Sequence, residues 1–483
     1  MTMTTPHDTI FALSSAPGRG GVAVLRVSGP GAARGLLNLS RRKTLPPSHK
    51  ASLIKLIDNV SRETLDHALV IYFAAPASFT GEDVVEYHVH GGPAVINSVL
   101  EALSHQPAHR MATPGEFTRR AFENGKMDLT EAEAVADLIH AETHAQKLQA
   151  LSQMEGGLSA IYEGWTERLK NTLAHLEADI EFPDEDLPEG ITPEITDAIG
   201  KLLSELTAHL SDNRRGERLR DGLRLAIIGA PNAGKSTLIN ALTRRDIAIV
   251  SDIAGTTRDV IEAHLDLGGY PVIIADTAGL RPDQIDATDH DKIESEGIRR
   301  ALDRAKNADL KILLFDATQE TPDTHTLNLL DDAALLVINK VDCHPEALAL
   351  KDLLSELSSR RKPGSRATND QIPDQVRDDE KGRNDIICIS AKSGAGLTAL
   401  ESALIARIET LLGSRETPSL TRRRHREALE DARQSLTRAS SAPLPELLAE
   451  DLRLATRALG RITGRVDVED LLDVIFRDFC IGK

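Results

Sequence analysis

Apolar and polar positions alternate along the first part of the chain, as in a sheet accompanied by helices. The stretches Gly20 to Gly29, Leu65 to Phe73 and Val84 to Val89 predict strands, and Pro93 to Leu103 predicts a helix. This mixture of periods predicts an N-terminal α/β domain over residues 1–124.

A helical period of apolar residues replaces this pattern from residue 125 onwards. Thr130 and Glu133 fit a capping box, in which a hydroxyl and a carboxylate each accept a backbone N–H bond at the start of a helix. Long helices are predicted over Ala134 to Met154, Leu158 to Ile180 and Glu194 to Leu210.

The helical pattern returns near the end of the chain, over Pro445 to Arg461 and Val468 to Phe479. The basic run Arg422 to Arg426 opens a further helix; it could contact RNA phosphates, and a solvated helix face is at least as consistent with it. We therefore predict one helical domain in two parts, residues 125–219 and 413–483, with another domain inserted between them.

A short glycine-rich stretch organises the inserted domain. Gly229 to Ser236 follows the apolar run Leu223 to Ile228 and precedes the helical pattern of Thr237 to Leu242. In such a loop the backbone N–H groups and the helix N-terminus face an anion. Lys235 would reach the β- and γ-phosphates, and the Ser236 hydroxyl would hold Mg²⁺.

Three further motifs follow in the order expected of a guanine-nucleotide site. Each comes directly after an apolar run: Asp276 to Gly279, Asn339 to Asp342, and Ser390 to Lys392. Asp276 can bind the magnesium shell, and the Gly279 amide can sense a γ-phosphate. Asp342 can accept from guanine N1–H and its 2-amino group, whereas ATP would leave a buried carboxylate there unpaired. We therefore predict a GTP-binding domain with a doubly wound, mostly parallel sheet over residues 220–412.

Composition limits the remaining possibilities. The net charge of −17 over 483 residues argues against a general coat for nucleic acid, although local basic patches could still contact RNA. The three cysteines (Cys343, Cys388, Cys480) lack CxxC spacing, so neither a disulfide framework nor a zinc site is expected.

No apolar run reaches membrane-spanning length, which makes the cytoplasm the expected compartment. The tract Ser359 to Asp385 lacks apolar periodicity and is interpreted as a solvated insertion.

One strand of the first domain carries candidate ligands. Glu86, His88 and His90 alternate and should project from one face. Three N/O ligands would suit zinc, while a polar ligand pocket or a solvated face is the simpler interpretation.

The outer segments narrow the function further. Stretches that match a known family are Asp8 to Ile10, Pro17 to Val22, Ser78 to Asp83, His90 to Pro93, Pro114 to Thr118 and the terminal Cys480 to Lys483, CIGK. On these stretches the chain resembles the MnmE (also called TrmE) family of tRNA-modifying GTPases over essentially its full length.

This resemblance implies a folate site in the first domain. That domain would form a homodimer and bind a tetrahydrofolate derivative (5-formyl- or 5,10-methylene-) through Arg26, Glu86, Lys126 and Lys483. Glu86 can pair with pterin N–H donors, and basic groups can pair with folate carboxylates. This role displaces the metal interpretation of Glu86 and His90. Cys480 is a candidate catalytic thiolate, with packing beside the folate as the alternative.

The resemblance also implies a full nucleotide site. Magnesium would be held by Ser236 and Thr257. Potassium ligands would be Asn232, Ser251, Ile253 and Thr256. The residues implied in GTP binding are Asn232, Ala233, Gly234, Lys235, Ser236, Thr237, Ser251, Asp252, Ile253, Ala254, Gly255, Thr256, Thr257, Asp276, Thr277, Ala278, Gly279, Asn339, Lys340, Asp342, Ser390, Ala391 and Lys392.

Leu280 stands where other GTPases have a glutamine that orients water. In the family, potassium supplies positive charge when two nucleotide domains meet across the dimer, and a glutamate orients the water. Glu294 is the best match for that glutamate, with Glu296 as the fallback.

The function implied is modification of C5 of the wobble uridine of certain tRNAs. The partner would be a flavin- and NADH-using protein of the MnmG type, and folate would supply the one-carbon unit. A GTP-switched assembly factor for ribosome or membrane, without RNA chemistry, is the alternative.

Overall fold

The structure is a computed structural model. It describes residues 8–181, 191–244, 248–249, 263–274, 306, 308–331, 333–343, 350–355, 386–413, 418–466, 469–477, 479 and 481–482. The chain forms two compact units, each assembled from separate stretches. The first comprises Met1–Ile139, Ala150–Ser211 and Arg423–Lys483, and the second comprises His140–Gln149 and Asp212–Arg422.

The main elements are numbered in chain order. The strands are β1 (Thr9–Leu13), β2 (Gly20–Ser28), β3 (Ala51–Ile57), β4 (Thr64–Phe73), β5 (Val84–Gly91), β6 (His109–Met111), β7 (Leu223–Gly229), β8 (Ala248–Ile249), β9 (Ala263–Leu267), β10 (Tyr270–Ile274), β11 (Leu310–Asp316), β12 (Ala334–Asn339) and β13 (Ile387–Cys388). The helices are α1 (Ala32–Ser40), α2 (Pro93–Ser104), α3 (Glu116–Glu123), α4 (Leu129–His140), α5 (His144–Met154), α6 (Gly157–Glu181), α7 (Ile191–Leu210), α8 (Arg215–Asp221), α9 (Lys235–Leu242), α10 (Thr324–Leu327), α11 (Leu397–Leu412), α12 (Arg423–Ala439), α13 (Pro445–Thr463) and α14 (Glu469–Arg477). None of these helices is apolar over a length sufficient to cross a membrane.

The first unit contains a mixed sheet in the order β3-β4-β5-β2-β1-β6. Neighbouring strands run antiparallel, except that β1 and β6 are parallel. Side-chain alternation gives the sheet two different faces. Leu25 points into a core that α1 and α2 cover, whereas its neighbour Arg26 and the cross-strand partner Glu86 point to the opposite face. The three strands predicted in this region are confirmed as β2, β4 and β5.

The second unit contains a mostly parallel sheet in the order β13-β12-β11-β7-β10-β9-β8. Among its described strands, β7, β10, β11, β12 and β13 are parallel, and β8 and β9 are antiparallel additions at one edge. Leu238 of α9 and Leu404 of α11 cover one face, and Leu350 and Leu354 cover the other. This is the doubly wound arrangement that the sequence predicts.

The single helix predicted over Ala134 to Met154 is wrong. Two helices, α4 and α5, occupy this stretch. The Gln146 side chain accepts bonds from the backbone N–H groups of Glu142 and Thr143, at 3.0 and 3.1 Å, and the Thr143 hydroxyl accepts from the Gln146 N–H at 3.4 Å. This second capping box starts a new helix.

The capping box at Thr130 and Glu133 is also wrong. The side chain of Asp128 accepts the Glu131 N–H at 2.9 Å, and the side chain of Glu131 accepts the Asp128 N–H at 2.8 Å. An aspartate two residues earlier therefore caps α4, because its carboxylate competes effectively for the free N–H groups of the first turn. The Thr130 hydroxyl instead forms a 2.8 Å hydrogen bond with Ser159.

Glu133 is the centre of a buried ion cluster. Arg424 donates to both of its carboxylate oxygens, at 2.6 and 2.8 Å, and His425 lies 2.9 Å from one of them. Burial alone would raise the pKa of Glu133, but the charges and hydrogen bonds of Arg424 and His425 hold the pKa well below its ordinary value of 4.5. The cluster joins α4 to the first turn of α12, which is 291 residues away in sequence.

The basic run that opens α12 therefore has a mainly structural role. Arg424 also donates to the carbonyl of Ile462 at 3.0 Å, and Arg426 donates to the carbonyl of Leu210 at 2.9 Å. Arg423 alone fits the solvated interpretation, since it is exposed and pairs with Glu427 one turn along. Neither RNA contact nor a solvated face describes Arg424 and His425, because both pair with the buried Glu133 and are themselves mostly or fully buried.

We predict that Glu133→Gln lowers the unfolding free energy of the first unit by about 3 kcal/mol, because it leaves the Arg424 charge without its buried partner. The exposed pair Arg423–Glu427 on α12 supplies the control. Glu427→Gln should lower the unfolding free energy by less than about 0.5 kcal/mol. Urea unfolding can be followed by fluorescence of Trp165, which is the chain's single tryptophan and lies in this unit.

The same cluster predicts a pH dependence. A carboxyl group with a lowered folded-state pKa contributes stability above its unfolded pKa and loses it as the pH falls. The difference between wild type and Glu133→Gln should therefore be full above about pH 4.5 and shrink below it. A difference that stayed constant down to pH 3, or equal losses in both variants, would contradict this role for Glu133.

Candidate functional site

Parallel strands bring four loops to one edge of the second unit's sheet. The glycine-rich loop follows β7, Asp316 ends β11, Asn339 ends β12, and Ser390 follows β13. Because the carboxyl ends of parallel strands meet at one edge, ligands of such sheets bind there. The structure therefore places three of the predicted nucleotide motifs together.

The glycine-rich loop has the conformation expected of a phosphate cradle. The Lys235 ammonium group donates to the carbonyls of Gly229 and Ala230, at 2.8 and 2.9 Å, so the lysine lies across the mouth of the loop. Gly234 has a φ of +97°, and a Cβ placed on it would come within 2.2 Å of the Asn339 amide nitrogen. Only glycine fits there. Ser236 lies in the first turn of α9, as a magnesium ligand requires.

Asn339 joins the phosphate loop to the base loop. Its side-chain N–H donates to the Ala233 carbonyl at 2.9 Å, and its side-chain oxygen accepts the Ala391 N–H at 3.0 Å. The residue is only 2% exposed. A single buried amide thus fixes the spacing between the phosphate loop and the loop that follows β13.

The charged residues of the base motif have different surroundings. Lys340 donates to the Asp316 carboxylate at 2.6 Å. Burial raises the pKa of Asp316, but the hydrogen bonds from Lys340 and Thr318 and the Lys340 charge together lower it. Asp342 is exposed, so the expectation of a buried carboxylate that excludes adenine is wrong for the protein by itself. A hydrogen bond from Ser390 lowers the pKa of the Asp342 carboxylate.

Fifteen of the predicted residues of the nucleotide and folate sites lie outside the described residues. They are Ser251, Asp252, Ile253, Ala254, Gly255, Thr256, Thr257, Asp276, Thr277, Ala278, Gly279, Glu294 and Glu296, and in the first unit Cys480 and Lys483.

A second polar cluster lies on the open face of the first unit's sheet. Arg26 donates two hydrogen bonds to one Glu86 oxygen, at 2.9 and 3.1 Å, and both side chains are about four-fifths buried. The Arg26 guanidinium lies 5.4 Å from the ring centroid of Phe79 and 5.8 Å from that of Phe117. The Arg26 guanidinium is thus packed against two aromatic rings while it pairs with Glu86.

His88 belongs to this cluster, although the resemblance assigns it no role. Its Nε2 atom is buried, makes no hydrogen bond within the described residues, and lies 3.6 Å from the second Glu86 oxygen. His90 is separate, because it binds Asp66 at 2.8 Å. No three His, Cys, Asp or Glu side chains in the described residues are placed to hold a metal, so the structure does not support the zinc alternative.

Lys126 contacts the loop that carries Phe79. Its ammonium group donates to the Pro76 carbonyl at 3.1 Å, three residues before Phe79. Glu82, at the other end of this loop, accepts from Ser28 at 2.6 Å and from Arg120 at 3.2 Å. The loop therefore carries Phe79 towards Arg26 at one point and contacts Lys126 at another.

The C-terminal tail reaches the same sheet. The Ser14 hydroxyl donates to the Gly482 carbonyl at 2.8 Å, and a Cβ on Gly482 would come within 2.3 Å of the Leu13 carbonyl. Leu13 is next to Ala12, the cross-strand partner of Arg26. Gly482 is therefore fixed beside β1, the strand that pairs with the Arg26 strand.

Together, the doubly wound sheet, the lysine-bearing phosphate loop and the base loops define a P-loop protein with a guanine-type nucleotide site. The chain matches the family model of the GTP-binding protein TrmE N-terminus over residues 9–126 and that of the MnmE helical domain over residues 129–480.

Curated relatives match along the whole chain. The tRNA modification GTPase MnmE of Parvibaculum lavamentivorans is 52% identical, over 99% of this chain and 100% of its own length. The protein of that name from Rhodospirillum rubrum is 50% identical, over 99% of both chains. A mitochondrial protein of Danio rerio, the 5-taurinomethyluridine-[tRNA] synthase subunit GTPB3, is 45% identical, over 99% of this chain and 93% of its own. The chain therefore belongs to the MnmE (TrmE) family of tRNA modification GTPases.

We predict that Asn339→Ala weakens GTP binding about tenfold to a hundredfold, because it leaves the Ala233 carbonyl and the Ala391 N–H without their partner. Asn339→Asp tests the geometry, since a carboxylate keeps the acceptor for Ala391 but cannot donate to Ala233. It should also weaken binding. Calorimetric titration with GDP and GTP measures both variants. Wild-type affinity in Asn339→Ala would show that this bridge does not organise the site.

Proposed function

We propose that this chain hydrolyses GTP to drive modification of C5 of the wobble uridine (position 34) in certain tRNAs. Full-length membership of a family of tRNA modification GTPases carries the proposal, and the nucleotide loops converging at one sheet edge support the hydrolytic part. The group installed would be aminomethyl or carboxymethylaminomethyl, with an FAD- and NADH-dependent partner of the MnmG type. The protein would act as a homodimer in the cytoplasm, with domains at residues 1–124, 125–219, 220–412 and 413–483.

The nucleotide residues have separable roles. Lys235 would neutralise charge on the β- and γ-phosphates, and the backbone of residues 232–237 would donate to phosphate oxygens. Asp342 would accept from the guanine edge, with Ser390 orienting its carboxylate. Ser236 and Thr257 would hold Mg²⁺, which when bound neutralises charge on the phosphate oxygens.

Potassium and Glu294 complete this part of the proposal. Asn232, Ser251, Ile253 and Thr256 would supply oxygen ligands to K⁺. When bound, the cation supplies positive charge of the kind an arginine finger gives other GTPases. Glu294, with Glu296 as the alternative, would orient the attacking water in place of the glutamine that Leu280 replaces.

We predict that exchanging K⁺ for Na⁺ lowers the GTP hydrolysis rate at least about tenfold, because an arginine finger in the same role is worth roughly 10³-fold or more. Phosphate release is measured at equal ionic strength in the two salts. Lys235→Ala supplies the background, since it should abolish hydrolysis in both. Equal wild-type rates in K⁺ and Na⁺ would remove the cation from the mechanism.

The Arg26 cluster fits a reduced folate. A flat pterin ring would lie against the partly exposed Phe79, with its N–H donors facing the second Glu86 oxygen. Lys126 and Lys483 would pair with the folate carboxylates. When bound, the folate supplies the one-carbon unit. Cys480 would act as a nucleophile towards the uridine or the carbon unit.

We predict that Glu86→Gln weakens binding of 5-formyltetrahydrofolate about tenfold to a hundredfold, because a hydrogen bond to a charged group contributes roughly 1.5–3 kcal/mol. Glu63→Gln removes an exposed carboxylate from the same sheet domain and should change the affinity less than about twofold. Calorimetry gives both values, and GTP hydrolysis should be unaffected. If wild type bound no reduced folate, a GTP-switched assembly factor would become the better account.

A further inference from the structure

Residues 9–57 contain no aspartate or glutamate, although the whole chain has 74 acidic residues among 483 and a net charge of −17. The basic residues in this stretch are Arg19, Arg26, Arg34, Arg41, Arg42, Lys43, Lys50 and Lys55. Arg26 belongs to the cluster described above. The others form a strongly basic segment in an acidic protein.

Six of these side chains are exposed and lie along α1, β3 and the segment that connects them. We call them the basic edge: Arg34, Arg41, Arg42, Lys43, Lys50 and Lys55. The two elements share one core, in which Leu39 of α1 and Leu56 of β3 are buried. β3 is the outermost strand of its sheet, and the cross-strand neighbour of Lys55 is the exposed His67, which adds no negative charge.

None of the six forms an ion pair with a carboxylate of the described residues. Exposed arginines elsewhere in the same unit are commonly paired, as Arg168 is with Glu205 at 2.7 Å and Arg453 is with Glu177 at 2.7 Å. The positive charge of the basic edge is therefore not neutralised by its own surroundings.

Local structural roles account for only part of this charge. Lysines on an outermost strand discourage edge-to-edge pairing, which explains Lys50 and Lys55. A cation at a helix C-terminus is favourable, and Arg41 occupies that position in α1. Arg42 and Lys43 lie beyond the helix and before the strand, so neither reason applies to them.

We propose that the basic edge binds the phosphate backbone of the tRNA substrate. The inference rests on the proposed function for the identity of the RNA. A polyanion is repelled by a surface of net negative charge, so a patch of unpaired cations determines where it approaches. Such contacts hold and orient an RNA without reading its sequence. This suits an enzyme whose chemistry is confined to one uridine.

The test uses the full chain with Arg41→Gln, Arg42→Gln and Lys43→Gln combined. Fluorescence anisotropy measures the binding of labelled tRNA over about 50–200 mM KCl, where phosphate contacts dominate the salt dependence. The plot of log affinity against log salt should become shallower by about two to three, since each lost phosphate contact removes roughly 0.7–0.9 from the slope. Affinity near 0.1 M salt should fall roughly tenfold or more.

Two controls separate local contact from net charge. Lys147→Gln, Lys170→Gln and Lys351→Gln combined remove the same charge from exposed positions elsewhere, and should leave the slope nearly unchanged. Arg41→Lys with Arg42→Lys keeps the charge and should retain most of the affinity. Thermal unfolding and GTP hydrolysis should match wild type in every variant, because none of these residues lies in the nucleotide site.

The outcomes are distinguishable. If the basic-edge and control triple variants lose affinity equally, or neither loses any, while wild type binds and modifies tRNA, the inference fails and the proposed function stands. If tRNA affinity is kept but modification with the flavoprotein partner is lost, the edge docks a protein and the inference fails. If wild type neither binds nor modifies tRNA, the proposed function fails as well.

Discussion

One buried carboxylate holds together a domain that the sequence divides. Glu133 precedes the inserted nucleotide unit, Arg424 and His425 follow it, and the ion cluster between them spans 291 residues. Buried charges are costly unless they are paired, so α4 and the start of α12 must meet at this point. The bond between Ser14 and Gly482 brings the two ends of the chain together in the same unit. Both contacts lie within the first unit. The inserted unit therefore has its own sheet and its own two hydrophobic cores.

The sheet of the second unit brings residues that are distant in sequence together at one edge. Parallel strands deliver the phosphate loop and the base loop to one edge, and the Asn339 amide sets the distance between them. Under the proposed function, Lys235 would contact the phosphates and Asp342 the guanine base. In the first unit the Arg26 guanidinium packs against Phe79 and Phe117, and under the proposed function this cluster would receive a flat heterocycle with N–H donors. The proposed function therefore assigns a nucleotide site to the second unit and a folate site to the first.

Sequence reasoning recovers the features that short-range patterns determine. The β7 strand, the glycine-rich loop and α9 appear as the motif and period predict. Features set by competition or by distant partners are missed. Asp128 displaces Thr130 as the cap, and Glu133 is committed to a helix that begins nearly three hundred residues later. Exposure of Asp342 and the unsatisfied His88 nitrogen depend on tertiary packing, which no local pattern encodes. The sequence indicates His88 only through its alternation with Glu86, which places both side chains on one face of β5.

The central claim is that GTP hydrolysis in this chain serves chemistry on a tRNA anticodon. It is tested most directly by mass spectrometry of nucleosides from the tRNA of cells that lack the protein, with wild type or Lys235→Ala supplied in trans. The account predicts that C5-modified wobble uridine disappears, returns with wild type and does not return with Lys235→Ala. Full retention of the modified nucleoside in the deleted cells would contradict it.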